Sequence, residues 1–162
     1  MKKTLTKNIF LFYLIEYFQE VFVFYWVSRY DLHWKKILEW EKKYYLWDLW
    51  FLNFFFSSFE NFISKKLENY VFNFFISNWY KLTIWKLGKL EIDFIAERGG
   101  RKCYIQVAYL LSSKEVIDRE YWNLRKIKDS FEKYVLSMDD FELKTDEVWI
   151  IHLQIWKMWE VF

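Results

Sequence analysis

The strongest constraint in this chain is the pair Gly99-Gly100, set between two β-rich runs, Glu91–Ala96 and Lys102–Tyr109. A two-residue turn between antiparallel strands needs positive φ at its centre, so the pair predicts a tight hairpin. Strict alternation puts Ile92, Phe94 and Ala96 on one face of the first strand and Glu91, Asp93 and Ile95 on the other. On the second strand Cys103, Ile105 and Val107 oppose Lys102, Tyr104, Gln106 and Ala108. Asp93 then needs explaining, because a carboxylate among apolar neighbours is costly unless it has a partner or a task.

The rest of the chain has to supply what packs on that hairpin. Its 162 residues fit one domain, or one domain with a small appendage, and a 54% apolar content can build a core. A net charge of +2 selects neither acidic nor nucleic-acid partners, although it allows a local basic patch. The single Cys103 has no internal disulfide partner, which fits a reducing, cytoplasmic setting. Lys2, Lys3 and Lys7 precede the apolar run Ile9–Ile15, but Glu16, Gln19 and Glu20 interrupt it before a span of ~20 residues is reached. A soluble amphipathic helix is therefore expected rather than a membrane anchor, and no membrane partner.

Taken in order, the pattern predicts a helix from Thr4 or Thr6 to about Glu20, then a buried strand over Val21–Val27. A polar loop from Arg29 to Lys36 follows, with short strands at Ile37-Leu38 and Tyr44–Trp47. From Ser58 to about Asn78 a helix is predicted on the stripe Phe59, Ile63, Leu67, Tyr70/Val71 and Phe74, followed by a strand over Tyr80–Trp85. Beyond the hairpin, Ser112 and Glu115 form a capping box. It opens a helix whose stripe is Ile117, Tyr121, Leu124, Ile127 and Phe131. A strand over Tyr134–Met138, an acidic loop over Asp139–Glu147 and a strand over Val148–Leu153 complete the order, before a short apolar end. The expected class is α+β: a partial winged-helix segment over 1–50, then helix, three strands, helix and strands over 51–162.

Helix, three strands, helix and strand, with a carboxylate on the middle strand of three, is similar to the restriction-endonuclease-like fold. More closely, the chain resembles the C-terminal part of a bacterial AAA-type ATPase family that carries the DUF4143 domain. The likeness is carried by Arg29-Tyr30-Asp31, Lys43-Tyr44-Tyr45-Leu46, Asp48-Leu49, Leu67-Glu68-Asn69, Lys86–Ala96, Tyr104–Leu111, Lys126–Asp129 and Lys133–Asp140. It implies an N-terminal P-loop ATPase module, a winged-helix segment and a nuclease-like module in the family. No G-x-x-x-x-G-K-[ST] stretch exists here, so these residues hold no triphosphate cradle. The expectation is a C-terminal fragment that begins inside the winged-helix segment, with the ATPase domain as a partner in the full-length protein.

The resemblance places Asp93 at the first metal-binding acid of the nuclease fold, Glu68 at the helix acid and Gln106-Val107-Ala108 at the E-x-K motif. An active site of that kind uses its carboxylates for a divalent metal and its lysine to assist the nucleophile. Here an amide replaces the acid and Ala108 replaces the lysine, and an amide is a poor Mg²⁺ ligand. The expected function is therefore a non-catalytic, nuclease-like accessory module that binds DNA or another macromolecule, without a cofactor. The rival is a Mg²⁺-dependent nuclease with Asp93 and Glu68 as metal ligands; the third reading is a truncated, non-functional gene piece.

Glu91 and Asp93 could form a carboxylate pair, but a solvated strand face balanced by Lys89 and Lys102 is the plainer reading. His33 and His152 are too isolated for a metal-ligand pattern, and Cys103 reads as an inert core thiol. Arg125, Lys126 and Lys128 could touch phosphates, yet Asp118, Glu120 and Asp129 are interspersed with them, and the aromatics show no regular interleaving with basic residues.

The chain has 11 Trp, 3 Gly and no Pro, where ordinary usage would put Gly near ~7%. Trp34, Trp50, Trp79, Trp85, Trp122 and Trp149 stand where similar sequences tend to carry glycine. The expectation is that UGA codons read as glycine by the organism are rendered as tryptophan at these positions. UGG codons there would exclude it.

Overall fold

The computed structural model describes residues 24–31, 36–50, 59–87, 90–143 and 149–162, together with Tyr13, Glu16, Tyr17 and Glu20. Those four single residues are helical; the remainder of the expected N-terminal helix, with Thr4 and Thr6, lies outside the described residues, as do His33, Trp34, Lys89 and residues 51–57.

The fold is α+β. Its strands are β1 (Phe24–Asp31), β2 (Lys36–Leu46), β3 (Lys81–Leu87), β4 (Leu90–Arg98), β5 (Arg101–Val107), β6 (Glu132–Ser137) and β7 (Ile150–Gln154). Helix α1 (Phe59–Ser77) precedes β3 and helix α2 (Lys114–Arg125) connects β5 to β6; a 3₁₀ turn (Ile155–Lys157) leads into the short α3 (Met158–Val161). All seven strands form one mixed sheet in the order β2-β1-β3-β4-β5-β6-β7. β1 runs parallel to β3, β3, β4 and β5 are antiparallel neighbours, and β5, β6 and β7 are parallel.

Among the described residues each face of the sheet carries one long helix, so strands are covered on both sides. Val71, Phe72, Phe74 and Phe75 of α1 pack with Ile84, Phe94, Ala96, Cys103 and Ile105, and Met158 of α3 joins them. On the other face Tyr121 and Leu124 of α2, with Ile127 just beyond it, pack with Ile92, Ile95, Tyr104, Val135 and Ile150. The stripe expected on α2 is present up to Ile127, but Phe131 lies past the helix end and is exposed. On α1 the expected stripe is buried at Val71 and Phe74, with Leu67 packed against the core; Glu68, Phe72 and Phe75 widen the buried face, and Tyr70 is exposed. Polar and apolar residues are mixed around the rest of the helix, so spacing alone does not show how far the buried face extends.

The expected loop and the expected N-cap of α2 are corrected. The segment expected as a loop from Arg29 to Lys36 is strand at both ends: β1 continues through Asp31, and β2 begins at Lys36 and is one strand of 11 residues rather than two short ones. The described strands on either side of residue 50 share the one sheet. β1 bonds to β3 through Arg29, Tyr30 and Asp31, and Asn69 of α1 accepts from the Leu46 N–H and donates back to its carbonyl. The N-cap of α2 is Ser113 rather than Ser112: Ser113 is extended and its hydroxyl accepts from the Val116 N–H.

The hairpin turns through Gly99 (φ 58°) and Gly100 (φ 81°), both in the left-handed region that a tight two-residue turn requires. Among the described non-glycine residues two others share that region, Trp79 (φ 62°) and Trp149 (φ 58°). Trp79 follows α1 directly. Its N–H donates to Ile76 O and the Tyr80 N–H reaches back to Phe75 O, while the Phe75 and Tyr80 rings meet at 5.0 Å. These are the bonds and the apolar contact of a helix-ending motif whose left-handed residue is usually glycine. The six tryptophans are thereby sorted. Trp79 and Trp149 have glycine backbones; Trp85 is strand residue and packs on Tyr104, Trp122 lies within α2, Trp50 has no positive φ, and Trp34 is outside the described residues.

Trp79 is 89% exposed and Trp149 79% exposed, so their rings contribute little burial that a smaller residue would lose. Trp79→Gly and Trp149→Gly are each expected to stabilise the fold by about 1 kcal/mol, raising the melting midpoint by roughly 3 °C. Thermal melts of the two variants check this; an unchanged or lowered midpoint in both refutes the strain.

Candidate functional site

Strict alternation would carry Asp93 and Phe94 to opposite faces of β4, and the structure departs from it. β3 pairs Thr83 with Ile95 but Trp85 with Ile92, so two steps on β3 face three on β4. This is a β-bulge at Asp93-Phe94, a device that re-aims side chains. Ile92 and Ile95 consequently both join the α2-side core, while Phe94 packs with α1 and the carboxylates of Glu91 and Asp93 turn to Lys43. The expected grouping of Ile92 with Phe94 and Ala96 is corrected accordingly.

Lys43, from β2, is the centre of the resulting cluster. Its Nζ lies 2.5 Å from Glu68, 3.1 Å from Glu91 and 3.7 Å from Asp93. Glu68 comes from the buried face of α1 and also accepts from the Tyr45 hydroxyl at 2.7 Å and from Lys65 at 3.3 Å. Arg29 of β1 reaches Glu91 at 3.2 Å. The plainer reading of Glu91 and Asp93 as a solvated face fails: Asp93 has a side chain only 14% exposed, and its counter-ion is Lys43 rather than Lys102. The protonation states follow from burial and charge. The buried Glu68 carboxyl is disfavoured by desolvation, yet the Lys43 and Lys65 ammonium groups hold it below the usual carboxylate range. Burial, then the neighbouring Glu68 charge, push Asp93 up to about 7 despite Lys43 and the Val107 N–H. Lys43 loses by burial but is raised by its acidic neighbours, Asp93 foremost, and stays an ammonium.

Asp93 stands where the sheet opens. The β4–β5 ladder runs from Arg98↔Arg101 to Phe94↔Ile105 and stops, and the Asp93 carboxylate takes the Val107 N–H at 2.9 Å. Beyond that point lies a cleft of about 490 Å³ between α1 and α2, lined by Glu68, Asp93, Gln106, Ala108, Arg119 and Glu120 among others. The three residues singled out from the sequence, Glu68, Asp93 and Gln106, all border it. Gln106 points its amide nitrogen at Glu120 at 3.2 Å, Glu120 is held by Arg119, and Gln106 Oε1 is buried without a hydrogen-bond partner. Ala108 has no functional group to offer.

These side chains do not fit a divalent ion. Lys43 sits between the carboxylates that would hold it, and the third position carries an amide turned to Glu120. Among the described residues no group of three or more His, Cys, Asp and Glu side chains is arranged to hold a metal. Sequence reasoning missed Lys43 and Glu120 as members of the site. Lys43 lies 48 residues from Glu91, and Glu120 had the spacing of a solvated helix face.

A second polar cluster also joins residues distant in sequence. The Ser137 hydroxyl lies 2.7 Å from Asp139 and 2.8 Å from His152 Nε2, all three buried. The Leu143 N–H donates to His152 Nδ1 at 3.0 Å, which leaves the ring proton on Nε2, pointing at Ser137. The serine proton therefore goes to Asp139, and Asp139 also accepts from the Leu111 N–H. A nucleophilic serine needs the imidazole as its proton acceptor, so this cluster ties strand ends together and does not activate Ser137. Burial lowers the His152 pKa, in keeping with a neutral ring.

Because the folded pKa of Asp93, about 7, exceeds its ordinary 3.8, its contribution is fully present below about 3.8 and is lost as pH rises through about 7. Asp93→Asn, which keeps an acceptor for Val107, is expected to raise the melting midpoint, by more at pH 8 than at pH 5. Lys43→Met should lower stability by about 3 kcal/mol at pH 8 and by less at pH 5, since it strands the carboxylates. Melts at the two pH values check both; a gain for Asp93→Asn that is independent of pH refutes the assignment. The chain is similar, at 27% identity over 143 residues, to an uncharacterised protein of Haemophilus influenzae. The match covers 88% of this chain and 35% of that protein, so the chain spans about a third of the relative's length. No family profile and no solved structure matches the chain.

Proposed function

We propose that the chain is a non-catalytic, nuclease-like accessory module that works beside a P-loop ATPase domain and binds nucleic acid. The observation that carries this reading is the Lys43 ammonium seated among Glu68, Glu91 and Asp93. A phosphodiester nuclease of this type would use its carboxylates to hold a metal that generates the nucleophile and stabilises the leaving oxygen. Here they already neutralise a lysine of the same chain, and Asp93 is substantially protonated near pH 7. Ala108 leaves the helper-lysine position empty of charge. Lys43 does not repair that loss, because a tightly paired ammonium is a weak proton donor and its raised pKa holds the proton more firmly.

What remains is a frame that keeps the shape of a nuclease site while its chemistry is spent on internal ion pairs. The ATPase partnership rests on the likeness of the Lys43–Leu46, Leu67–Asn69, Lys86–Ala96 and Tyr104–Leu111 segments to that family. The segments are interlocked: Asn69 clamps Leu46, Tyr45 and Lys43 meet Glu68, and Asp93 takes the Val107 N–H.

Supercoiled plasmid and labelled oligonucleotides incubated with Mg²⁺ or Mn²⁺ are expected to remain intact. Cleavage by the wild-type chain that disappears in Asp93→Ala would overturn the non-catalytic reading in favour of the metal-dependent nuclease.

A further inference from the structure

A second cleft lies where no catalytic residue is expected. It occupies about 240 Å³ and is lined by Trp85, Leu90, Ile92, Lys126, Ile127, Lys128 and Asp129. Trp85 and Ile92 belong to the α2-side core, so this cleft opens on the opposite face of the sheet from Lys43 and α1. Its volume is below the roughly 300 Å³ at which drug-sized pockets begin, and suits one planar ring system. The floor is apolar and aromatic; the rim is basic.

The charges around it are unbalanced in a way the sequence conceals. Asp118, Glu120 and Asp129 are interspersed with the basic residues here, yet each carboxylate is engaged by other groups, Asp129 while lining the cleft itself. Asp118 pairs with Arg125, and Glu120 turns to Arg119 and Gln106 at the other cleft. Asp129 accepts from the Tyr104 hydroxyl at 2.5 Å, from the Phe131 N–H and from Lys133. Among the described residues neither Lys126 nor Lys128 has a carboxylate partner, and both are exposed. Lys126 instead lies 3.9 Å from the centre of the Trp122 ring. Beside the cleft, Lys102 sits within 5.0–5.4 Å of the Tyr104, Phe131 and Trp85 ring centres. Strands and a helix thus assemble the basic and aromatic interleaving that is absent from the linear sequence.

We propose that this cleft and its rim bind single-stranded nucleic acid, one base entering over Trp85 and Ile127 while Lys126 and Lys128 take the flanking phosphates. An apolar slot for a flat ring beside unpaired ammonium groups is the chemistry such a strand presents, since every base offers a π-face and every linkage a negative charge. Stacked bases in a duplex cannot enter a slot of this size without unpairing. Single-stranded DNA and RNA share these features, and the experiment separates them. The proposal deepens the nucleic-acid-binding reading above and rests on it, but uses none of the Lys43 cluster.

Fluorescence anisotropy with labelled dT₁₂, rU₁₂ and a 12-base-pair duplex, all in EDTA, tests it between 50 and 200 mM salt. Either single strand is expected to bind at least about tenfold more tightly than the duplex. Lys126→Ala/Lys128→Ala should weaken that binding about tenfold and reduce the slope of log K against log salt by about 1.4, the contribution of two phosphate contacts on a single strand. Both lysines are exposed, so the fold survives the change, and melting curves confirm it. Lys81→Ala/Lys114→Ala, an exposed pair elsewhere, should leave binding unchanged. Absence of binding, equal affinity for duplex, or equal losses in the two double variants overturns the proposal. Because EDTA removes cleavage from the measurement, nuclease activity found separately with Mg²⁺ would defeat the non-catalytic reading and leave this one standing.

Discussion

One buried ammonium group decides how the sheet and its first helix fit together. Removing a lysine and three carboxylates from water is costly, and mutual attraction offsets that cost only when geometry is good and further hydrogen bonds complete the shell. Lys43 meets the condition through Glu68, Glu91 and Asp93, while Tyr45, Lys65, Arg29 and the Val107 N–H serve the oxygens it leaves over. Glu68 comes from α1, and Glu91 and Asp93 from β4, so the cluster fixes β2 against β4, sets the rotation of α1 about its axis and requires the bulge that turns Asp93 inward. A carboxylate set of this kind would be an open ion site in another chain. Here the counter-ion is covalently part of the protein.

The two faces of the sheet consequently carry different chemistry. On the α1 side the charges are consumed internally and the cleft beside Asp93 is left with an unsatisfied amide carbonyl. On the α2 side the acids are consumed and the lysines are left over, around a slot floored by Trp85 and Ile127. The neutralised frame and the basic surface meet at β5, where Gln106 holds Glu120, while the Tyr104 hydroxyl, with the Phe131 N–H and Lys133, occupies the Asp129 carboxylate at the edge of the slot.

What the sequence revealed follows from how local each signal is. The Gly99-Gly100 turn was legible because the requirement for positive φ is set within the turn itself. The stripe Ile117, Tyr121, Leu124 and Ile127 was legible because α2 is polar on its other side. On α1 the burial of Val71 and Phe74 was legible, but not the extension of the buried face to Glu68, Phe72 and Phe75, since polar and apolar residues are mixed around the helix. Nor was the bulge, because alternation continues past Asp93 without a glycine or proline to mark it. The parallel pairing of β1 with β3 joins residues more than fifty apart, and spacing rules carry no such information. For the site, the family resemblance pointed to Glu68, Asp93 and Gln106, all of which border one cleft; Lys43 and Glu120 stayed hidden because their meaning depends on who stands opposite.

The left-handed turn after α1 bears on how one fold can be written in two versions of the genetic code. Glycine has two separate uses in proteins, freedom of the backbone and absence of a side chain. At Trp79 and Trp149 only the first is in play: the rings stand in open solvent, and no neighbour occupies the volume they need. A glycine codon read as tryptophan would therefore add strain confined to one residue, and the Phe75–Tyr80 contact and the helix-ending hydrogen bonds would persist around it. Had the residue been chosen for close packing, the same misreading would have pried two elements apart. At these two turns the architecture is insensitive to that ambiguity because both lie on its surface.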